Sequence, residues 1–364
     1  MKRLPGRRPT ARQSFAAVLA LAVVMAAPTT ATSDEGGVSF WVPGFFGSLA
    51  AVAQQPGWSL TNFYYQTSVS ASGDVAIARE RTLGKIPINL NLSANLTANL
   101  SSRADLDFLA LTYALKTPVL GGQASFDLLG LYGRVDSSLG AQLAGTLSAM
   151  TGGGPLDSVS FSRTVNSMMW GFGDLIPQFS LRWNAGVNNY MVYVEGNVPV
   201  GAYDPTRLSN TGIAHGAVDS GVGYTYYNEK SGREFSGVLG FTYNMTNQAT
   251  QYQNGVDLHF DWGASQFLTK QFQVGLVGYV YDEIGCDSGL GNQVGCFQSR
   301  VFSIGPQLGF IIPISKTTQG YLNLKGYKEF DNANRPDGWN AWVTFVLSPA
   351  EQTPSASSRH MRSM

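Results

Sequence analysis

In the stretch "DLHFDW", Asp257, His259 and Asp261 alternate with Leu258, Phe260 and Trp262. An extended chain puts the three polar residues on one face, about 6.5–7 Å apart. An imidazole between two carboxylates can orient a phenolic hydroxyl or hold a cation, or it can satisfy itself inside a polar interior. The chain has 3 histidines, and none sits in a Ser-His-Asp or His-Glu-x-x-His setting. A lipid-ester hydrolase is therefore the least supported function, and no cofactor or metal is expected. The two cysteines, Cys286 and Cys296 in "CDSGLGNQVGC", could pair across a Gly-rich loop in an oxidising compartment. Two free thiols, or half of a metal site, are the alternatives, although no further Cys or nearby His completes such a site.

Other candidates fall between the apolar stretches. Asp174 in "GFGD", Asp204 and Arg207 in "AYDPTRLSN", and Glu329, Asp331 and Arg335 in "EFDNANRPDGW" could gate a passage. They could equally fold their own loops through Asp-Pro turns and ion pairs. Two aromatic and methionine clusters could form an apolar path, one at Phe40, Trp41, Phe45 and Phe46 and the other at Met168, Met169, Trp170 and Phe172. Such surfaces accept varied hydrophobes. They could also anchor the protein at a membrane interface.

The elements that position these residues are strands. Of 364 residues only 13% are charged, 12% are aromatic and 42 are Gly, with a net charge of +0. That balance gives no reason to expect a nucleic-acid partner. Residues 1–31 read as a secretory signal peptide: Lys2, Arg3, Arg7, Arg8 and Arg12 precede the apolar run Phe15–Ala27, with small residues after it. Beyond it, apolar/polar alternation recurs in stretches of about ten residues, the length a tilted strand needs to cross a bilayer. Low charge, apolar faces and aromatics near strand ends predict an all-β transmembrane antiparallel barrel of the bacterial outer membrane.

Connections alternate between short turns (185–188, 228–232, 268–271, 314–318) and long loops (136–170, 201–220, 246–254, 282–298, 331–338). Short turns are periplasmic in such barrels. The predicted wall covers 58–348, with 12 or 14 strands, and 349–364 reads as a disordered tail. Residues 32–57 form either a plug or a first strand; Pro43 favours the plug, because proline removes a ladder donor. The stretch "INLNLSANLTANL" at 88–100 reads as a strand with its Leu and Ile toward lipid and its Asn, Ser and Thr toward the lumen. Whether it joins 104–115 within the wall or as an outer hairpin decides between the two strand counts.

The chain resembles a family of exported barrel proteins linked to the meta-pathway of phenol degradation. The resemblance rests on "PGW" at Pro56–Trp58, "GFGDLIPQ" at Gly171–Gln178, "VPVGAYDPTRLSN" at Val198–Asn210, residues 224–255, "DLHFDW", "IGPQLGF" at 304–310 and "EFDNANRPDGW". It implies an outer-membrane barrel that helps hydrophobic or aromatic compounds into cells that degrade them. The expected partners are the lipid bilayer, such small molecules and the outer-membrane assembly machinery. The expected function is a passive channel in which loop 136–170 and the N-terminal segment capture solute. The alternative is a non-conducting structural or adhesive barrel.

Overall fold

A computed structural model describes residues 39–73, 76, 94–146, 158–292 and 295–350. Residues 1–31, read above as a signal peptide, residues 88–93 and those from 351 lie outside them. The described residues form twelve strands: β1 (Gly57–Ser72), β2 (Ala94–Ala114), β3 (Gln123–Thr146), β4 (Ser158–Ala185), β5 (Asn188–Asn197), β6 (Ala217–Asn228), β7 (Arg233–Asn244), β8 (Val256–Phe267), β9 (Phe272–Glu283), β10 (Arg300–Pro313), β11 (Thr318–Ala333) and β12 (Asp337–Pro349). Each pairs antiparallel with its neighbours, and β1 pairs with β12 to close the barrel. The count is twelve, not fourteen, because 94–100 and 104–114 are one uninterrupted strand and 39–56 contributes none.

Alternation sets the two faces. On β7, Phe235, Leu239, Phe241 and Tyr243 are exposed, while Ser236, Thr242 and Asn244 are buried in the lumen. Aromatic pairs mark the periplasmic edge of the apolar band, with Trp58 against Tyr113 and Phe126 against Phe179. Near its outer edge Tyr132 packs on Phe172 and Trp170.

The rim is uneven. β5 has 10 residues and β6 to β9 have 12 each, whereas β2, β3 and β4 have 21, 24 and 28. β3 continues past Tyr132 to Thr146, roughly 45 Å along the strand. Of the long outer loop expected at 136–170, residues 136–146 and 158–170 are strand, and 147–157 lie outside the described residues.

In this projection the faces invert relative to the expectation for 88–100. Ala98 and Leu100 turn inward and pack with Leu139, Ala141 and Leu208. Thr97 and Asn99 are exposed on the outside. The reason is the solvent. Above the aromatic band the outer surface meets water rather than lipid, so the outward positions become polar and the inward side carries the apolar cluster. This geometry predicts that Leu100→Asp destabilises the projection by about 3 kcal/mol or more, while Asn99→Asp is nearly neutral. Limited proteolysis of the folded barrel measures the difference, and equal resistance of the two variants would contradict the inversion.

Candidate functional site

Asp257, His259 and Asp261 do share the inward face of β8, and all three are buried. They do not line an open pore, because residues 40–53 run down the lumen past them. Asp257 accepts hydrogen bonds from Tyr281 Oη (2.7 Å) and Asn244 Nδ2 (2.9 Å). His259 stacks on Trp41 of the segment with ring centroids 3.6 Å apart. Its Nε2 lies 2.9 Å from Asp219 Oδ2 on β6. Asp261 accepts from the backbone amides of Gly44 (3.1 Å) and Phe46 (3.0 Å).

On the other side of the same residues, Lys325 of β11 donates to the carbonyls of Gly44 (2.6 Å), Phe45 (3.2 Å) and Phe46 (3.3 Å). A carboxylate and an ammonium thus grip both the donors and the acceptors of a non-helical turn, which would otherwise leave its polar backbone unpaired inside the barrel. Glycine is required at 44: its φ is 84°, and an added Cβ would lie 3.0 Å from the Tyr327 ring.

The grip continues down the lumen. Ser48 Oγ and the Leu49 amide donate to Glu234 (2.7 and 3.0 Å), and the Ala51 amide donates to Thr225 Oγ1 (3.1 Å). Near the periplasmic turns the Gln54 backbone exchanges two hydrogen bonds with the Gln123 side chain, both 2.7 Å. The segment separates two cavities. The inner one, about 1240 Å³, opens between the periplasmic turns and is lined by Phe45, Phe46, Leu49, Arg182 and Lys325. The outer one, about 290 Å³, is lined by Phe40, Trp41, Tyr65, Leu106, Phe108, Leu131 and Ile176, and by polar groups that include Asp174, Asn197, Arg207, Glu329 and Arg335.

The remaining candidates divide by position. Phe40, Trp41, Phe45 and Phe46 lie in the lumen, where Phe45 packs on Phe63 and Trp342 and Phe46 on Tyr193. Met168, Trp170 and Phe172 point outward, with Phe172 73% exposed, so they cannot form an internal apolar path. Only Met169 of that group turns inward, against Thr211. Glu329 is not a loop residue: it projects inward from β11 and accepts from Tyr279 Oη (2.7 Å) and the Gly338 amide (2.8 Å). Asp331 pairs with Arg300 at 3.7 Å, and Arg335 sits 4.8 Å over the Tyr281 ring.

Asp204 caps its own turn through the Thr206 amide (2.8 Å), and Arg207 reaches the Met168 carbonyl (2.5 Å). Asp174 accepts from Asn197 Nδ2 (3.0 Å) and from the amides of Gly201 (2.7 Å) and Ile213 (3.0 Å). Cys286 and Cys296 are disulfide-bonded. In the same loop, burial raises the Asp287 carboxyl above its ordinary value, while hydrogen bonds from its neighbours oppose the rise.

Sequence reasoning missed Lys325, Asp219, Glu234 and Tyr193. The alternation that singled out Asp257–Asp261 also puts Asn323, Lys325, Tyr327 and Glu329 on one face of β11, and a lysine on an inward face was the available signal.

A closed twelve-stranded antiparallel barrel with an apolar outer band and a polar, partly filled lumen is an outer-membrane β-barrel. The chain belongs to the family described as "Putative MetA-pathway of phenol degradation", which matches residues 88–345. Among solved structures it is similar to the COG4313 outer membrane channel from Pseudomonas putida F1, with 13% identity and a TM-score of 0.59, over 84% of this chain and 99% of that one. It also aligns with a Pseudomonas aeruginosa FadL homologue at 9% identity and a TM-score of 0.32, over 89% and 98% of the two chains, which is too loose to bear on the fold. No curated protein matches the chain significantly.

The grip on residues 44–46 yields a prediction. Asp261→Ala removes the side-chain acceptors of the Gly44 and Phe46 amides and leaves the buried Lys325 ammonium without the opposing carboxylate, a loss of about 3–5 kcal/mol. A reporter cysteine at Leu49 should then label with a charged maleimide at least ten times faster than in the parent. Unchanged labelling would show that Asp261 does not hold the segment.

Proposed function

We propose that the protein is a passive outer-membrane channel for small hydrophobic or aromatic compounds. The observation that carries this reading is the outer cavity. Its volume of about 290 Å³ suits a compound of one or two rings. Its walls are mostly aromatic and aliphatic, so desolvation of an apolar solute drives occupancy without a demanding geometry. Asn197, Glu329 and Arg335 add polar groups to the lining.

The family's description and the channel from Pseudomonas putida support the reading as analogy. In this reading residues 1–31 are removed on export, the assembly machinery of the outer membrane inserts the barrel, and 39–56 acts as a plug. A non-conducting barrel is the second reading, and the segment that fills the mid-lumen is the feature that favours it.

Proteoliposomes with lipopolysaccharide in the outer leaflet test the proposal. Toluate and phenol should enter at least several-fold faster than into protein-free vesicles, and Phe108→Asp, which places a charge in the cavity wall, should remove most of the gain. No acceleration by the parent protein would leave the non-conducting reading standing.

A further inference from the structure

Arg182 projects inward from β4 near the strand's periplasmic end at Ala185 and is 7% exposed. Its hydrogen-bond partners are neutral. Nη1 donates to Ser125 Oγ (3.0 Å) and to Ser180 Oγ, and Nε donates to the Ala50 carbonyl (3.4 Å). Among the described residues Nη2 has no hydrogen-bond partner, and no carboxylate forms an ion pair with the guanidinium. Asp127 of β3 attracts it only at longer range, and the Asp127 carboxylate accepts from Thr112 Oγ1 instead. A buried guanidinium held by hydroxyls and a carbonyl keeps its whole charge, and its remaining donor favours an anion.

That donor belongs to a side chain lining the inner cavity, about 1240 Å³ in volume. The cavity has an electropositive lining. Arg182, Lys230, Lys270 and Lys325 face two carboxylates, Asp127 and Glu229. Lys325 is committed to the carbonyls of residues 44–46. Lys230 and Lys270 are exposed in the turns β6–β7 and β8–β9, where they draw anions toward the mouth. The same cavity has apolar wall as well. Ala50, whose carbonyl Arg182 holds, belongs to the stretch "LAAVA" at 49–53, and Leu49, Ala50, Val52 and Leu129 all line the space. A cation beside an apolar strip suits a ligand with a carboxylate at one end and a ring at the other.

We propose that the inner cavity is a binding site for small aromatic carboxylates, with Arg182 taking the carboxylate and residues 49–52 and Leu129 covering the ring. The site rests on the channel reading for the source of its ligand, and it narrows the substrate class to aromatic acids. It gives the acid a resting point on the periplasmic side of the segment, before release. A neutral phenol or alcohol lacks the group that Arg182 holds. Acetate and inorganic phosphate lack the ring that the apolar strip covers.

Calorimetric titration of the detergent-solubilised barrel compares benzoate with benzyl alcohol, acetate and inorganic phosphate. The parent should bind benzoate at least about ten-fold more tightly than each of the other three. Arg182→Gln should lower benzoate affinity by about ten-fold or more and leave benzyl alcohol unchanged; Arg182→Lys, which keeps the charge but not the fork, should recover part of the loss. Heat-modifiable gel mobility verifies folding of each variant. If the Arg182 variants do not fold, Lys230→Gln with Lys270→Gln decides. This pair should weaken benzoate binding about three-fold at about 20 mM salt and leave it unchanged at about 500 mM. The site is wrong if benzoate binds no better than benzyl alcohol, acetate or phosphate. It is equally wrong if folded Arg182→Gln binds benzoate as the parent does, or if, without folded Arg182 variants, the lysine pair has no effect at low salt. The vesicle assay judges the channel reading separately: benzoate binding without accelerated toluate entry keeps the site and fails the channel, and the reverse result fails the site alone.

Discussion

Inside a bilayer no water completes a broken backbone hydrogen bond, so every amide and carbonyl in the wall must find its partner within the protein. The pairing of β1 with β12 meets that demand around the ring, and it fixes which parity faces lipid on every strand. The same demand exposes the exception. Above the Leu175–Val198 bridge, β4 satisfies its outward carbonyls from a loop rather than a strand. That part of the wall is sealed by individual contacts, and its strength is that of Asp174 and a few hydroxyls.

The lumen obeys the same rule with different means. Residues 44–46 run outside any strand through the middle of the barrel, where unsatisfied backbone would be costly. Asp261 takes the amides, Lys325 takes the carbonyls, and Glu234, Ser236 and Thr225 continue the pattern below. Charged residues in a low-charge chain are thereby concentrated where backbone has no ladder. The aromatic residues Trp41, Phe45 and Phe46 fill the space between, packing on His259, Trp342 and Tyr193.

Much of the wall was legible in the sequence because period-two alternation between lipid and lumen is a strong local signal. The inward set Asp257, His259 and Asp261 followed from it directly. The pattern misled where one of the two solvents changed. In 97–100 alternation persists, but water replaces lipid outside, so the same spacing carries the opposite meaning. Met168, Trp170 and Phe172 could not be assigned a side for a related reason, since aromatics suit both a ligand path and a membrane edge. The roles of Asp174 and Lys325 depend on backbone that arrives from 27 and about 280 residues away, which no local pattern encodes.

The N-terminal segment leads directly into β1, and β1 is also where the ring closes on β12. Most of the polar groups that hold the segment belong to β6, β7, β8, β10 and β11: Thr225, Glu234, Asp261, Gln307 and Lys325. These strands precede β12 in the chain, so the surface that receives the segment is nearly complete before the last strand pairs. The segment can therefore dock while the sheet is still open and act as a former around which the sheet curls. On this account the order of assembly is built into the connectivity, and the finished barrel closes around a part of itself that was already in position.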